Sequence, residues 1–191
     1  VYDTTYGLIK RGTDNLVVLD DSIVRGTTLK QSILKILDRL GPKKVIVVSS
    51  APQIRYPDCY GIDMSRMGEF VAFEAAISLL RETGKESVID EVYQNCLESE
   101  KLGNKQVVNY VQQIYSQFTD QQISDRIAKI ITPKEIQTEV HVIYQTLNNL
   151  HKAIPDHLGD WYFSGNYPTP GGNKVNRAFM NWMEGKNQRA Y

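Results

Sequence analysis

The sequence predicts an α/β fold in which a parallel sheet is followed by a mainly helical C-terminal region. Residues 16–19 and 45–48 are continuous apolar runs of the length found in strands that are buried on both faces. Between them, apolar residues recur at helical spacing from Leu29 to Leu40. The order strand, helix, strand predicts a βαβ unit with parallel strands and a right-handed crossover.

Helix-terminating residues support the prediction of this first βαβ unit. Gly41 suits a left-handed C-cap and Pro42 cannot continue a helix, so the helix is predicted to stop there. Residues 60–64 are predicted to form a short third strand, with Asp63 near its end.

Helical periodicity dominates beyond residue 64. It predicts helices at 69–81, from 87 onward, at 107–118 and at 123–131. The segment 132–135 has the form of a helix start, with Thr132 at the N-cap, Pro133 in the first turn and Glu135 completing a capping box, and it predicts a helix through Leu150. Residues 163–172 predict a loop and 176–184 a last helix.

These patterns divide the chain into three parts. Residues 1–84 form the α/β part, 85–153 a helical subdomain or insertion, and 154–191 a C-terminal loop and helix. A packing or oligomer role for 85–153 is the preferred interpretation, and a regulatory or partner-binding role stays open.

Composition excludes several classes of function. Lys plus Arg and Asp plus Glu each total 22 in 191 residues, so no basic surplus indicates nucleic-acid binding. No apolar run approaches the ~18 residues that would span a membrane. Cys59 and Cys96 lack metal-ligand spacing and are expected to be reduced thiols, as in a cytoplasmic protein.

Residues 17–28 are the most informative stretch. An apolar strand ends in Asp20 and Asp21, a short loop with Gly26 follows, and a helix begins near Thr28. Ligands bind at the carboxyl ends of strands in open α/β sheets, and a helix N-terminus attracts anions. The run therefore predicts a pocket for a sugar that carries a phosphate. A helix N-cap and an ordinary turn would explain one Asp or one Gly, but they do not explain the whole run.

At these residues the chain resembles type I phosphoribosyltransferases, which bind phosphoribosyl pyrophosphate. The run Asp20-Asp-Ser-Ile-Val-Arg-Gly-Thr-Thr28 matches their signature, and its Ser-Ile-Val-Arg variant is similar to that of the amidophosphoribosyltransferases. The resemblance continues in Ser50-Ala-Pro-Gln-Ile-Arg-Tyr-Pro57 and in Tyr60-Gly-Ile-Asp-Met64. It fades after Ala76 and returns weakly at 163–167. Residues 1–84 would be the C-terminal part of the phosphoribosyltransferase domain.

The resemblance implies a site but no catalytic acid or base. The substrate-binding residues would be Asp20, Asp21, Ser22, Ile23, Val24, Arg25, Gly26, Thr27 and Thr28. The two aspartates would hold the ribose hydroxyls and support Mg²⁺. No iron–sulfur cluster is expected, because no cysteine follows Cys96.

The resemblance also implies a reaction. Ammonia from glutamine would attack phosphoribosyl pyrophosphate to give 5-phosphoribosylamine, the first step of de novo purine biosynthesis. The implied partners are an N-terminal glutaminase domain of the same parent chain, purine nucleotides as feedback inhibitors, and further copies in a homo-oligomer. The chain is expected to be a C-terminal fragment that is inactive alone.

Several alternatives stay open. The same pocket would serve a non-catalytic module that senses phosphoribosyl pyrophosphate or a nucleotide, or it would be a vestige in a structural domain. Arg25 could contact an anion or point outward to another domain. Arg55 and Tyr56 are candidates for the rim of the pocket, while the histidines fit no ligand motif and are expected to be solvated or structural.

Overall fold

A computed structural model describes residues 7–58, 64–101, 108–157, 159–168 and 170–190. Within them, three parallel strands form one sheet in the order β1 (Asn15–Asp20), β2 (Lys44–Ser49) and β3 (Glu139–Tyr144). The register pairs Asp20 with Ser49 and Ser49 with Tyr144. The carboxyl ends of all three strands are therefore level at one edge of the sheet.

Helices account for most of the remaining described residues. A π-helical stretch (Leu29–Ile33) leads into α1, and a 3-10 turn (Met67–Glu69) precedes α2. The α-helices are α1 (Leu34–Leu40), α2 (Val71–Glu82), α3 (Ser87–Lys101), α4 (Gln112–Tyr115), α5 (Asp120–Ile131), α6 (Leu147–Ala153), α7 (Trp161–Ser164) and α8 (Gly171–Met183). None of the described helices is long and apolar enough to cross a membrane.

The predicted βαβ unit is confirmed. β1 and β2 pair in parallel, and α1 ends where Gly41 adopts the left-handed conformation with φ 71°. The N–H of Gly41 donates to the carbonyl of Asp38, which satisfies one of the carbonyl groups that a helix end leaves open.

The prediction of a helix from residue 132 to residue 150 is wrong. Residues 132–138 contain no helix, β3 occupies Glu139–Tyr144, and α6 begins only at Leu147 after a Thr146 N-cap. The apolar residues that fitted a helical period also fit a two-residue period within 139–144, where β-branched side chains are frequent. Pairing with β2 decides between the two, so the segment 85–153 is not helical throughout.

Other predictions have mixed outcomes. The predicted strand at 60–64 lies outside the described residues except for Met64. Of the predicted helix at 107–118, the structure describes 108–118, and within that range only Gln112–Tyr115 is α-helical. The expected loop at 163–172 contains the end of α7 and the start of α8. The helix at 123–131 is confirmed as α5, with a capping box formed by Thr119 and Gln122.

The core lies on one side of the sheet. Val45, Val47 and Val142 are buried beneath the helices, whereas Leu19 is 78% exposed and Val17 is 54% exposed. Side chains alternate between the faces of a strand, so these last two residues belong to the opposite face. The prediction that β1 is buried on both faces is therefore wrong within the described structure.

A carboxylate on α1 fixes the segment that leads into β3. Asp38 Oδ1 accepts hydrogen bonds from the backbone N–H of Gln137 (3.2 Å) and from the N–H and hydroxyl of Thr138 (3.0 and 2.6 Å). Burial opposes the charge of Asp38, but these hydrogen bonds and the positive charge of Arg11 outweigh it and lower the pKa of the carboxyl.

Replacing Asp38 by alanine is expected to reduce the free energy of unfolding by about 1–3 kcal/mol at neutral pH, because three donors lose a charged acceptor. The folded pKa lies below the unfolded one, so this contribution is present above the unfolded pKa and is lost as pH falls through the folded pKa. Urea denaturation of wild type, Asp38→Ala and Asp38→Asn as a function of pH measures it. Asparagine keeps an acceptor and should cost less. A difference that does not depend on pH would contradict the assignment.

Candidate functional site

Two carboxylates stand at the carboxyl end of β1. Asp20 is half-buried and Asp21 is exposed. Asp20 Oδ1 accepts a hydrogen bond from the N–H of Asp21 (3.0 Å), and Asp21 Oδ1 accepts one from the N–H of Ser22 (2.9 Å). The loop after β2 is tied to them, because the N–H groups of Ser50 and Ala51 donate to their two backbone carbonyls, each at 3.0 Å.

The electrostatics of this pair favour a cationic or hydroxyl-bearing ligand. Burial raises the pKa of Asp20, a backbone hydrogen bond from Asp21 lowers it, and the neighbouring Asp21 carboxylate raises it further. A cation placed between the two carboxylates would relieve their repulsion. Among the described residues, the Oδ2 atom of each aspartate makes no hydrogen bond, so both remain available to a ligand.

The loop that follows is anchored by its apolar residues. Ile23 is buried with 3% of its surface exposed, and so is Leu29 at the other end. The carbonyl of Val24 accepts a hydrogen bond from the N–H of Val71 (2.9 Å), the first residue of α2. The side chain of Ile23 belongs to the core, so only its backbone is free to contact a ligand.

The backbone N–H groups between these anchors are open. Within the described part of the chain, the N–H groups of Arg25, Gly26, Thr27 and Thr28 find no acceptor, whereas the N–H of Lys30 donates to the carbonyl of Gly26 (3.0 Å). Thr27 and Thr28 are also exposed. Consecutive unpaired donors at the start of a helix are the arrangement that binds phosphate in many proteins.

Arg25 is tied to a carboxylate. Its Nε and Nη2 atoms donate to Oε2 of Glu69 at 2.9 and 2.5 Å, and Arg66 Nη1 donates to Oε1 of the same residue at 3.2 Å. Burial disfavours ionisation of Glu69, but the hydrogen bonds and charges of the two arginines outweigh it and lower the pKa of Glu69. The sequence left Arg25 either on an anion or directed toward another domain, whereas in the structure its guanidinium is paired with Glu69 of the same fold.

Gly26 is required by its backbone and by its surroundings. Its φ is +67°, and a Cβ atom there would lie 2.6 Å from Cγ2 of Ile131 on α5. The sequence suggested glycine here for close approach of a phosphate. Contact with Ile131 gives a further reason that no local pattern reveals, since the two residues are distant in sequence.

Two recesses flank the aspartates without containing them. One of about 340 Å³ lies at the carboxyl ends of β2 and β3, between the loop at 52–55 and the start of α5. The other, of about 770 Å³, borders Gly26 and Thr27 and is lined by Lys30, Lys129 and Lys134. Neither Asp20 nor Asp21 lines either recess.

Arg55 and Tyr56 make contacts that stabilise the fold. Arg55 donates to Gln53 and forms an ion pair with Asp120, and its guanidinium lies 5.3 Å from the centre of the Tyr115 ring. Tyr56 is 2% exposed, and burial raises the pKa of its hydroxyl despite the Arg55 charge. Both residues connect the loop after β2 to the helical layer, and Arg55 also lines the recess at the carboxyl ends of β2 and β3.

The three histidines are not assembled into a site. His141 lies on β3 rather than on a helix, with Nε2 2.7 Å from Glu139, and His151 Nε2 lies 2.9 Å from Asp160. No group of three or more His, Cys, Asp or Glu side chains in the described residues could hold a metal ion. A cation at Asp20 and Asp21 would therefore take its other ligands from water or from a bound molecule, and not from a third carboxylate, imidazole or thiolate of the described residues.

Comparison with known proteins identifies relatives for part of the chain. An amidophosphoribosyltransferase of Haemophilus influenzae is 37% identical over 97 residues, which is 50% of this chain and 19% of that protein. Those of Escherichia coli (34% over 97 residues) and Pasteurella multocida (49% over 59 residues) also match, covering 19% and 12% of their own length. No protein-family model matches.

Part of this chain is similar to amidophosphoribosyltransferases. The predicted resemblance to amidophosphoribosyltransferases is thereby confirmed, and so is the α/β phosphoribosyltransferase-like fold class. The chain spans less than a fifth of the length of these amidophosphoribosyltransferases, which are enzymes by name. Sequence reasoning missed Glu69 and Ile131, because both act on the loop from elements that are distant along the chain.

The two demands on Gly26 can be separated by substitution. Gly84 has φ +69° with nothing within 4 Å of a Cβ, so Gly84→Ala measures the left-handed backbone cost alone, roughly 1–2 kcal/mol. Gly26→Ala should cost about 1–3 kcal/mol more, because Ile131 must also move. Denaturant unfolding of both variants, and of Gly26→Ala combined with Ile131→Ala, measures this. Equal costs at the two glycines would contradict the packing role of Ile131.

Proposed function

We propose that this chain supplies the ribose-phosphate half of a phosphoribosyltransferase site that uses phosphoribosyl pyrophosphate. The observation that carries the proposal is the placement of two carboxylates at the end of β1, separated by residues 22–24 from a run of four open backbone N–H groups. The two carboxylates suit vicinal hydroxyls, and the open N–H groups suit a phosphate. A sugar phosphate needs both, at the separation that one short loop provides.

Two parts of the substrate, the 5-phosphate and the ribose hydroxyls, have partners in this proposal. The 5-phosphate lies against the N–H groups of residues 25–28 and the hydroxyls of Thr27 and Thr28. Asp20 and Asp21 accept hydrogen bonds from the ribose 2- and 3-hydroxyls. Because these contacts fix the sugar, C1 is presented in a constant direction, and catalysis by this chain is positioning with charge stabilisation.

The aspartates also fit a magnesium ion held with the substrate. Both carboxylates keep an oxygen that no described residue uses, and Mg²⁺ is usually bound by one or two carboxylates together with substrate phosphates. When bound, the ion would neutralise charge on the departing pyrophosphate. The described residues orient the sugar and leave its outer side uncovered, so a further element would have to cover the reaction.

The exposed face of the sheet also supports the proposal that a further element covers the site. Parallel sheets are normally covered on both faces, yet Val17, Leu19 and Ile143 are at least half exposed, and β1 has no neighbour on its outer edge within the described residues. In the whole protein, we propose, further strands and a glutaminase domain complete an amidophosphoribosyltransferase that uses glutamine-derived ammonia in purine biosynthesis. This chain alone would bind substrate without turning it over.

Calorimetric titration with phosphoribosyl pyrophosphate, with and without Mg²⁺, tests the binding site. The wild-type chain should bind, and Asp20→Asn/Asp21→Asn should weaken binding at least about tenfold, because each lost charged hydrogen bond is worth about 1.5–3 kcal/mol. Asp90→Asn/Asp156→Asn removes the same charge at exposed positions elsewhere and should leave affinity unchanged. AMP and GMP in the same titration test the nucleotide inhibitors.

Two results would overturn the proposal. One is a wild-type chain that does not bind phosphoribosyl pyrophosphate at millimolar concentration. The other is equal affinity in wild type and the Asp20→Asn/Asp21→Asn variant, which would place any binding elsewhere. Binding of AMP or GMP without binding of phosphoribosyl pyrophosphate would favour a nucleotide-sensing module instead.

A further inference from the structure

The loop of residues 22–28 is fastened to α2 at two successive residues. The carbonyl of Val24 accepts from the N–H of Val71, and the guanidinium of Arg25 donates twice to Glu69, which closes the 3-10 turn before α2. Phe70, the N-cap of α2, makes no side-chain capping bond, so the Val24 carbonyl satisfies a donor that the helix would otherwise leave open.

The same carboxylate engages both arginines near the loop. Glu69 Oε2 faces Arg25, and Oε1 faces Arg66 at 3.2 Å, so one anion is shared by two cations. The side chain of Glu69 is 32% exposed and that of Arg25 is 49% exposed. The guanidinium of Arg25 therefore has its Nε and Nη2 donors occupied by Glu69, although the residue stands between Val24 and Gly26 in the candidate anion loop.

We propose that Glu69 is a positioning residue for this loop: it holds Arg25 against the start of α2, so that the loop presents its backbone N–H groups, and not the arginine, to the phosphate. The role in ligand binding rests on the proposed function. The Arg25–Glu69 contact itself does not rest on the proposed function, because it forms without any ligand.

The opposite side of the loop is held by a contact that does not involve Glu69. Gly26 packs against Ile131 of α5, so the loop is held between α5 and α2. Releasing Arg25 removes one of the two contacts with α2 and leaves the Gly26 contact in place. The loop should then open locally more often without unfolding the core, because exposed elements open independently of the global transition.

Hydrogen–deuterium exchange of the ligand-free chain tests the fastening. Glu69→Ala should raise the exchange of the Lys30 and Val71 amides, which donate to the carbonyls of Gly26 and Val24, up to about fivefold, the range expected for loss of the exposed Arg25–Glu69 ion pair. Glu69→Gln, which keeps an acceptor, should have a smaller effect. The charge swap Arg25→Glu/Glu69→Arg should restore protection, which loss of packing alone would not predict.

Glu86→Ala provides a matched control. Glu86 forms an exposed ion pair with Arg81, 3.5 Å apart, and its removal should leave the exchange of the Lys30 and Val71 amides unchanged. Unchanged exchange in Glu69→Ala, or a charge swap that does not restore protection, would overturn the fastening.

Titration of the same variants with phosphoribosyl pyrophosphate separates this inference from the proposed function. Glu69→Ala should bind more weakly by a factor similar to the rise in exchange. If exchange rises and affinity does not change, Glu69 has no positioning role although the proposed function stands. If wild type does not bind, the proposed function fails, and the exchange result still decides whether Glu69 fastens the loop.

Discussion

The in-register parallel pairing of β1, β2 and β3 is the constraint on which the candidate site depends. Because Asp20, Ser49 and Tyr144 are aligned across the sheet, the loops that leave the three strands emerge side by side. The backbone of residues 50 and 51 can then bond to the carbonyls of Asp20 and Asp21. A shift of β1 by one residue would break these bonds and exchange the faces of every side chain on the strand.

The helical layer then gives the loop after β1 its shape. Ile23 and Leu29 are buried at its two ends, Gly26 meets Ile131, and Arg25 meets Glu69. The backbone donors between these contacts have no other acceptor in the described structure. Preorganised donors of this kind cost little to align when an anion arrives, which is why a rigid loop binds phosphate better than a flexible one.

Sequence reasoning predicted the parts of this site that are local. Asp20, Asp21 and Gly26 follow one strand directly, so their order along the chain places them together. Glu69 and Ile131 could not be predicted, because their contact with the loop depends on how α2 and α5 pack. The same limit explains β3: residues 139–144 suit a helix or a strand locally, and only the free edge of β2 makes the strand the better choice.

The strand order also accounts for the exposed face. For the order β1-β2-β3, crossovers of the usual right hand would place both connections on the same side of the sheet. In the described residues, the other face carries the exposed Val17, Leu19 and Ile143. A strand added at the open edge of β1 would reverse the winding there, and its crossover would cover Val17 and Leu19. Open α/β sheets bind ligands where the winding reverses. That point would be the carboxyl end of β1, where Asp20 and Asp21 stand.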